Sequence, residues 1–564
     1  MAWSGVFNLT AITMSGPTAA SARSDGDSAP LMARVIAPSD KLHAQETPAR
    51  SRSALSRTPI RSLVTKIPNL QSPVCNHSLA NNRRCVAQNG NCARASRAPV
   101  SVPSAHQANA MTVLSYLESN DTRIHDELFD FLRIPSVSAR SEHKADVAKA
   151  ADWLADRMRA AGLSAEVLPT AGHPVVLGEW RKARPGAKTI LVYGHYDVQP
   201  AEPLELWESP PFEPVVRDGR IYARGSVDDK GQLFLHIKAL EAHLATLGTI
   251  PVNVIVLAEG EEEVGSEHLA AFIEQHASRL ACDGVVISDS SMFAPGLPSL
   301  LFSLRGLAYF QLDVVGPTTD LHSGSYGGAV VNPATALARI IATCHDANWH
   351  VAVPGFYDRV RDWQPDVRAQ IRALPFDEET FRRETGAASL GGETGYSTLE
   401  RIWTRPTLEV NGLLSGYTGE GAKTVLPSKA MAKVSCRLVP DQTPDEIEQL
   451  LAAHVKRVAP AGVKVTVRHL HGGRPWRAAL EGPLFDAGRR ALERAFGRAP
   501  VIAGEGGSIP VVDDFQRLLK SPVLLMGFGL PGENAHAPNE WMSEENFRTG
   551  MKAVALLWEE LGRA

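Results

Sequence analysis

Apolar residues recur at helical spacing over about 113–133 and again over about 143–161. The first run stops before Pro135 and the second at Gly162, both common helix terminators. Four short, nearly continuous apolar runs follow: KTILVYG (188–194), VNVIVLA (252–258), DGVVISD (283–289) and PVLLMGFG (522–529). They are too short for helices and too apolar for a half-exposed sheet, so they are predicted as buried strands. A hairpin (212–225) and a helix (231–247) separate the first two. Strands alternating with helices predict an α/β unit with a mostly parallel sheet.

A second pattern interrupts the first. LAYFQLDVVG (307–316) reads as a strand, and Asn332 with Pro333 opens a helix. TLEVNGLL and AMAKVSCRLV read as strands, Thr443 and Pro444 open another helix, and VKVTVRHL closes the set. This β-α-β-β-α-β order predicts an α+β (split βαβ) unit. The expected division is a catalytic part over 112–306, an insertion over 307–478 and a second catalytic part over 479–564, ahead of which lies a basic extension (1–110).

Composition changes the picture mainly at the start of the chain. Residues 1–110 hold 12 Lys+Arg against 4 Asp+Glu, a balance of +8, so the remainder carries −12 of the net −4. That segment is rich in Ser, Ala, Arg and Pro without a sustained period, and is expected to be disordered. Two readings of it stand: a transit peptide, or translated sequence upstream of a true start at Met111. The helical pattern that begins at once after Met111 favours the second. The spacing of Cys75, Cys85 and Cys92 is too loose for a zinc knuckle. No apolar run approaches the ~18–20 residues needed to cross a bilayer. The chain as a whole lacks the basic bias of a nucleic-acid binder, and six cysteines in 564 residues make no disulfide framework. With no basic n-region at the first residues, a cytoplasmic protein is expected.

Chemistry enters where the strands end. His195 and Asp197 follow the first strand, Glu259, Glu261, Glu262 and Glu263 follow the second, Asp289 ends the third, and His536 lies beyond the fourth. Asp228 and Asp229 stand just before a helix. In open α/β sheets the carboxyl edge is where sites are built. Two imidazoles and several carboxylates suit Zn²⁺ or Mn²⁺. A carboxylate spanning two ions gives a two-metal site, and a spare Glu beside a ligand, Glu262, suits a base. Asp197 is placed to orient His195.

GHYDVQP, ARGSVDDKG, EGEEEVGSE, VISD and NAHAPNE resemble the motif series of the M20 metallopeptidases, in the branch of carnosine dipeptidase and PepV-like dipeptidases. The resemblance covers about 112–564. It implies a metal-dependent exopeptidase-type catalytic domain with an inserted lid and dimerisation domain. It also implies two divalent ions per subunit on His195, Asp228 (bridging), Glu263, Asp289 and His536, with Glu262 as general base, Asp197 orienting His195, and a cis peptide after Asp228. Glu261 is an extra acid that blurs which Glu is base and which is ligand. From DLHSGSYGG, His322 is expected to reach the partner subunit's site in a homodimer. From SCRLVP, HGGRPW and GEGGSIPV, Arg437, His471 and Ser508 are expected to hold substrate. The expected activity is hydrolysis of dipeptides or short peptides through a metal-bridging hydroxide. The alternatives are an N-acyl amino acid deacylase with the same site, or an inert metal-binding interaction protein.

Overall fold

The structure is a computed structural model that describes residues 111–563. The expectations for 1–110, including the cysteine spacing and the start at Met111, lie outside the described residues. The four predicted buried strands form at Thr189–His195, Asn253–Glu259, Gly284–Ile287 and Val523–Leu525. They pair in parallel in the order Asn253–Glu259, Thr189–His195, Gly284–Ile287, Val523–Leu525. Two further strands, Ser164–Leu168 and Val175–Trp180, add an antiparallel edge; their mixed polarity hid them in the sequence.

Side chains alternate across this sheet, as the pleat requires. Ile190, Val192, Val254, Val256 and Val286 enter one core, with the helices Lys144–Ala160, Lys230–Leu247 and Glu544–Arg563. Leu191, Tyr193, Ile255, Leu257 and Ile287 enter a second core on the other face. Covering both faces explains why these strands read as unbroken apolar runs.

The chain leaves through Ser299–Leu304, which pairs in parallel with Val501–Glu505, and enters the insertion at Gly306. A Cβ there would lie 2.6 Å from Gly473 O and Pro475 N, so the crossing point needs glycine. The inserted sheet runs Thr407–Ser415, Lys429–Leu438, Gly306–Val315, Lys464–Gly473, all antiparallel. Helices Pro333–Ala342 and Pro444–Val458 pack on one face around Phe310, Leu337, Val434 and Leu451. This is the split βαβ arrangement.

Part of the expected insertion belongs elsewhere by packing. Ile371, Leu399 and Trp403 join the second core under the main sheet, with Trp363, Val367 and Phe376 against it. Local apolar spacing does not say which of two cores a helix serves, so the sequence could not separate this segment from its neighbours.

Candidate metal centre

The strand Thr189–His195 delivers His195 beside the strand end Glu259, with which it is in register. Gly194 allows the close approach: a Cβ there would meet Asp229 Oδ2 at 2.7 Å. Without it, that oxygen accepts from the His195 backbone N–H at 3.2 Å. The peptide between Asp228 and Asp229 is cis, as the resemblance implied. Asp228 projects from the turn ahead of the helix Lys230–Leu247. His536 sits in the loop after Val523–Leu525, at a left-handed φ of 61°.

These elements converge. Ligand-type atoms of His195, Asp228 and Asp289 lie within 4.8 Å of one another, and so do those of Asp228, Glu263 and His536. Asp228 belongs to both groups: His195 Nε2 is 3.1 Å from its Oδ1, and His536 Nε2 is 2.9 Å from its Oδ2. His536 Nε2 also lies 3.2 Å from Glu263 Oε2. On the far side of its ring, His195 Nδ1 is 3.1 Å from the Asp197 carbonyl and 3.4 Å from its Oδ1. The second Asp197 oxygen accepts from the Glu263 N–H at 3.2 Å, so one buried carboxylate ties the two strand ends together.

The three adjacent acids separate cleanly. Glu261 turns away and meets His268 Nδ1 at 2.9 Å. Glu263 joins the cluster, and Gln199 Nε2 donates to its Oε2 at 2.7 Å. Glu262 lies half-buried beside them without belonging to either ligand group.

The electrostatics fit a cation site. Burial raises Glu262 well above the usual carboxylate range; His195 opposes this, while Asp289, Glu263 and Asp228 add to it. Burial likewise pushes Asp289 up to about 7, against His195. For Asp228 burial also disfavours the charge, but hydrogen bonds from His195 and His536 outweigh it and hold the carboxyl low. Glu263 Oε1 is buried with no hydrogen-bond partner among the described residues. Two imidazoles and three crowded carboxylates, one oxygen still unpartnered, match the ligand types of Zn²⁺ or Mn²⁺.

The expected substrate residues gather at one face of the inserted sheet. Arg437 Nη1 donates to Ser508 Oγ at 3.0 Å, and Ser508 Oγ donates to the Arg305 carbonyl at 2.6 Å. Arg305 was missed in the sequence. Burial above all, and then the nearby Arg437, brings the Arg305 pKa down to about 10. Arg437 and His471 pair with Leu307 and Tyr309 of the central inserted strand. They therefore share the sheet face opposite the core helices, and His471 stacks on Tyr309. His322 is exposed, its Nδ1 accepting from Gly324 N at 3.0 Å. It has no hydrogen bond or ion pair with the cluster among the described residues. Glu540, in the His536 loop, was also missed: it accepts from the N–H groups of Gly225, Val227 and Asp228 at 2.9, 3.0 and 3.1 Å.

Residues 191–560 match the family described as Peptidase family M20/M25/M40. A Cys-Gly metallodipeptidase of Schizosaccharomyces pombe is 35% identical over 444 residues, covering 76% of this chain and 93% of the relative. The human Beta-Ala-His dipeptidase is 29% identical over 485 residues, covering 83% and 96%. The solved di-peptidase Dug1p of Saccharomyces cerevisiae superposes with a TM-score of 0.69 at 29% identity, covering 81% of this chain and 99% of that one. The convergent imidazole and carboxylate cluster, set at the carboxyl edge of the sheet within the matched region, accordingly belongs to a metal-dependent peptidase of family M20/M25/M40.

Proposed function

We propose that the chain is a dipeptidase with two divalent cations, Zn²⁺ or Mn²⁺, per subunit. The observation that carries this reading is that Asp228 belongs to both ligand groups. His195, Asp228 and Asp289 would hold one ion, and Asp228, Glu263 and His536 the other. Bound there, two such ions supply Lewis acidity that polarises a scissile carbonyl and acidifies water.

The chain's own residues do the rest. Glu262, beside both groups but in neither, takes the proton from the attacking water and passes it to the leaving amine. Asp197 fixes the His195 ring and tautomer from behind. Arg437, with Ser508, binds the free carboxylate of the substrate, a task suited to a planar guanidinium; His471 lines the same face. The Cys-Gly and Beta-Ala-His relatives place the substrate among dipeptides and favour this over N-acyl amino acids.

Within the expected insertion (307–478), the inserted sheet and its two helices act as lid and dimerisation domain, apart from the segment 363–404 that packs under the main sheet, and His322 serves the partner subunit's site to stabilise the oxyanion. Its exposure away from its own cluster supports this, as do Leu413 and Leu414, which stand 63% and 59% exposed on the edge strand Thr407–Ser415. We take the protein to work in the cytoplasm. Among the described residues no helix is long and apolar enough to cross a membrane.

Purified protein reconstituted with Zn²⁺ or Mn²⁺ should hydrolyse a dipeptide panel and leave N-acetyl amino acids largely intact. The reverse preference would overturn the dipeptidase reading.

A further inference from the structure

A cavity of about 560 Å³ opens among residues 291–301, 375–403 and 503–505 and Pro531, within the ~300–1,000 Å³ range of small-molecule pockets. Its lining is largely apolar and rich in aromatic rings, with Asp377, Glu384 and Glu505 also on it. Phe293 and Trp403 meet edge to face with ring centroids 6.3 Å apart, and Phe376 and Phe381 lie 5.5 Å apart. Leu301 and Leu399 close the floor.

Its border is what gives it meaning. Ser291, on one edge, stands two residues beyond Asp289. Pro531, on another, begins the loop that carries His536. Glu505, on a third, opens the turn to Ser508, and Arg305 Nε donates to Gly506 O within that turn at 3.2 Å. The cavity's lining thus comes within two residues of Asp289, five of His536 and three of Ser508 along the chain, on the segments that carry the cluster proposed to act on the peptide bond and the serine proposed to help grip the carboxylate. It contributes no metal ligand and no base. The helical segment that supplies Phe376, Phe381, Leu399 and Trp403 is the one that packs with the main sheet instead of the inserted one.

We propose that this cavity receives a bulky apolar side chain of the peptide substrate and sets a preference for Leu- or Phe-containing dipeptides. The proposal rests on the dipeptidase reading and goes beyond it, since neither the metal ligands nor Arg437 can discriminate between side chains.

The test is steady-state kinetics of the metal-loaded full chain on Gly-Gly, Leu-Gly, Gly-Leu, Phe-Gly and Gly-Phe. In at least one orientation, the apolar dipeptide should exceed Gly-Gly in kcat/KM by about 10–100-fold, the range that an apolar pocket supplies. Thr380 lines the rim on the helix Glu378–Glu384. Thr380→Trp fills the cavity from that rim and should cut the ratio below about threefold, with Gly-Gly kcat/KM changed by less than about twofold. Phe293→Ala, which removes a wall, is the second variant and should also erode the preference. Gly-Gly hydrolysis with flat selectivity, or a preference that survives in both variants, would overturn the pocket and leave the dipeptidase reading standing. Failure on every dipeptide would overturn both.

Discussion

Arg224 Nη1 donates to Glu540 Oε2 at 2.7 Å, and both side chains are buried. The pair organises the loops around the cluster. Glu540 gathers the backbone N–H groups that lead into Asp228, while Arg224 Nη2 donates to the carbonyls of Pro200 and Ala537, both at 3.3 Å. One ion pair therefore joins the segments after His195, before Asp228 and after His536. Glu540→Ala leaves a buried guanidinium and three N–H groups without their acceptor. It should cost about 3–5 kcal/mol, as for breaking other buried pairs, and lower metal occupancy. Denaturant unfolding and metal analysis of the dialysed protein would check this; unchanged occupancy would mean that Glu540 serves only stability.

Glu262 and Glu263 are neighbours with different surroundings, and substitution should separate them. Glu262→Gln should keep metal occupancy near wild type and lower turnover by about 10²–10⁴-fold, the range for losing an acid–base group. Glu263→Gln should lower occupancy. Metal stoichiometry on both variants decides it: loss of one ion in Glu262→Gln would reverse the assignment.

His322 offers a test of assembly. Mixing His322→Ala with Glu262→Gln under subunit exchange should restore activity toward about one quarter of wild type, because about half of the dimers are mixed and one site in each is intact. No recovery, with exchange shown independently, would place His322 in its own chain's site or outside the reaction.

Arg437→Ala should raise KM for free dipeptides with a much smaller effect on kcat, and should matter little for the same dipeptides as C-terminal amides. A charge-assisted bond to carboxylate has no counterpart in the amide. Equal losses on both substrates would assign Arg437 a structural role.

His236, which is not itself a proposed ligand, gives a pH signature. It is fully buried, its Nε2 lies 2.8 Å from Ser288 Oγ, and burial pushes its pKa down to about 3. The unfolded chain, with an ordinary value of 6.5, binds the proton first as pH falls. Stability is thus lost between about 6.5 and 3, by about 2 kcal/mol from pH 7 to 5. His236→Gln should flatten the urea-unfolding free energy over that interval by about this amount; an unchanged slope would show that His236 does not titrate there.

The four central strands were legible because a strand buried on both faces has no polar positions, and a run of four to seven apolar residues shows that directly. The insertion was legible for a similar local reason: Asn332–Pro333 and Thr443–Pro444 mark helix starts wherever the fold puts them. The ligand types could be collected at strand ends because strand direction alone fixes which edge they share. Three things needed the tertiary structure. Glu261, Glu262 and Glu263 are identical in chemistry and adjacent in sequence; only the turn after Glu259 sends the first to His268 and the third to His536. Glu540 and Arg224 stand 316 residues apart, and no local pattern announces a partner at that distance. The helices within 363–404 carry apolar faces that would suit either core, and only the packed fold assigns them to the main sheet, where they line the aromatic cavity. Periodicity reports which face is buried, but what it is buried against is a long-range fact that only the folded chain decides.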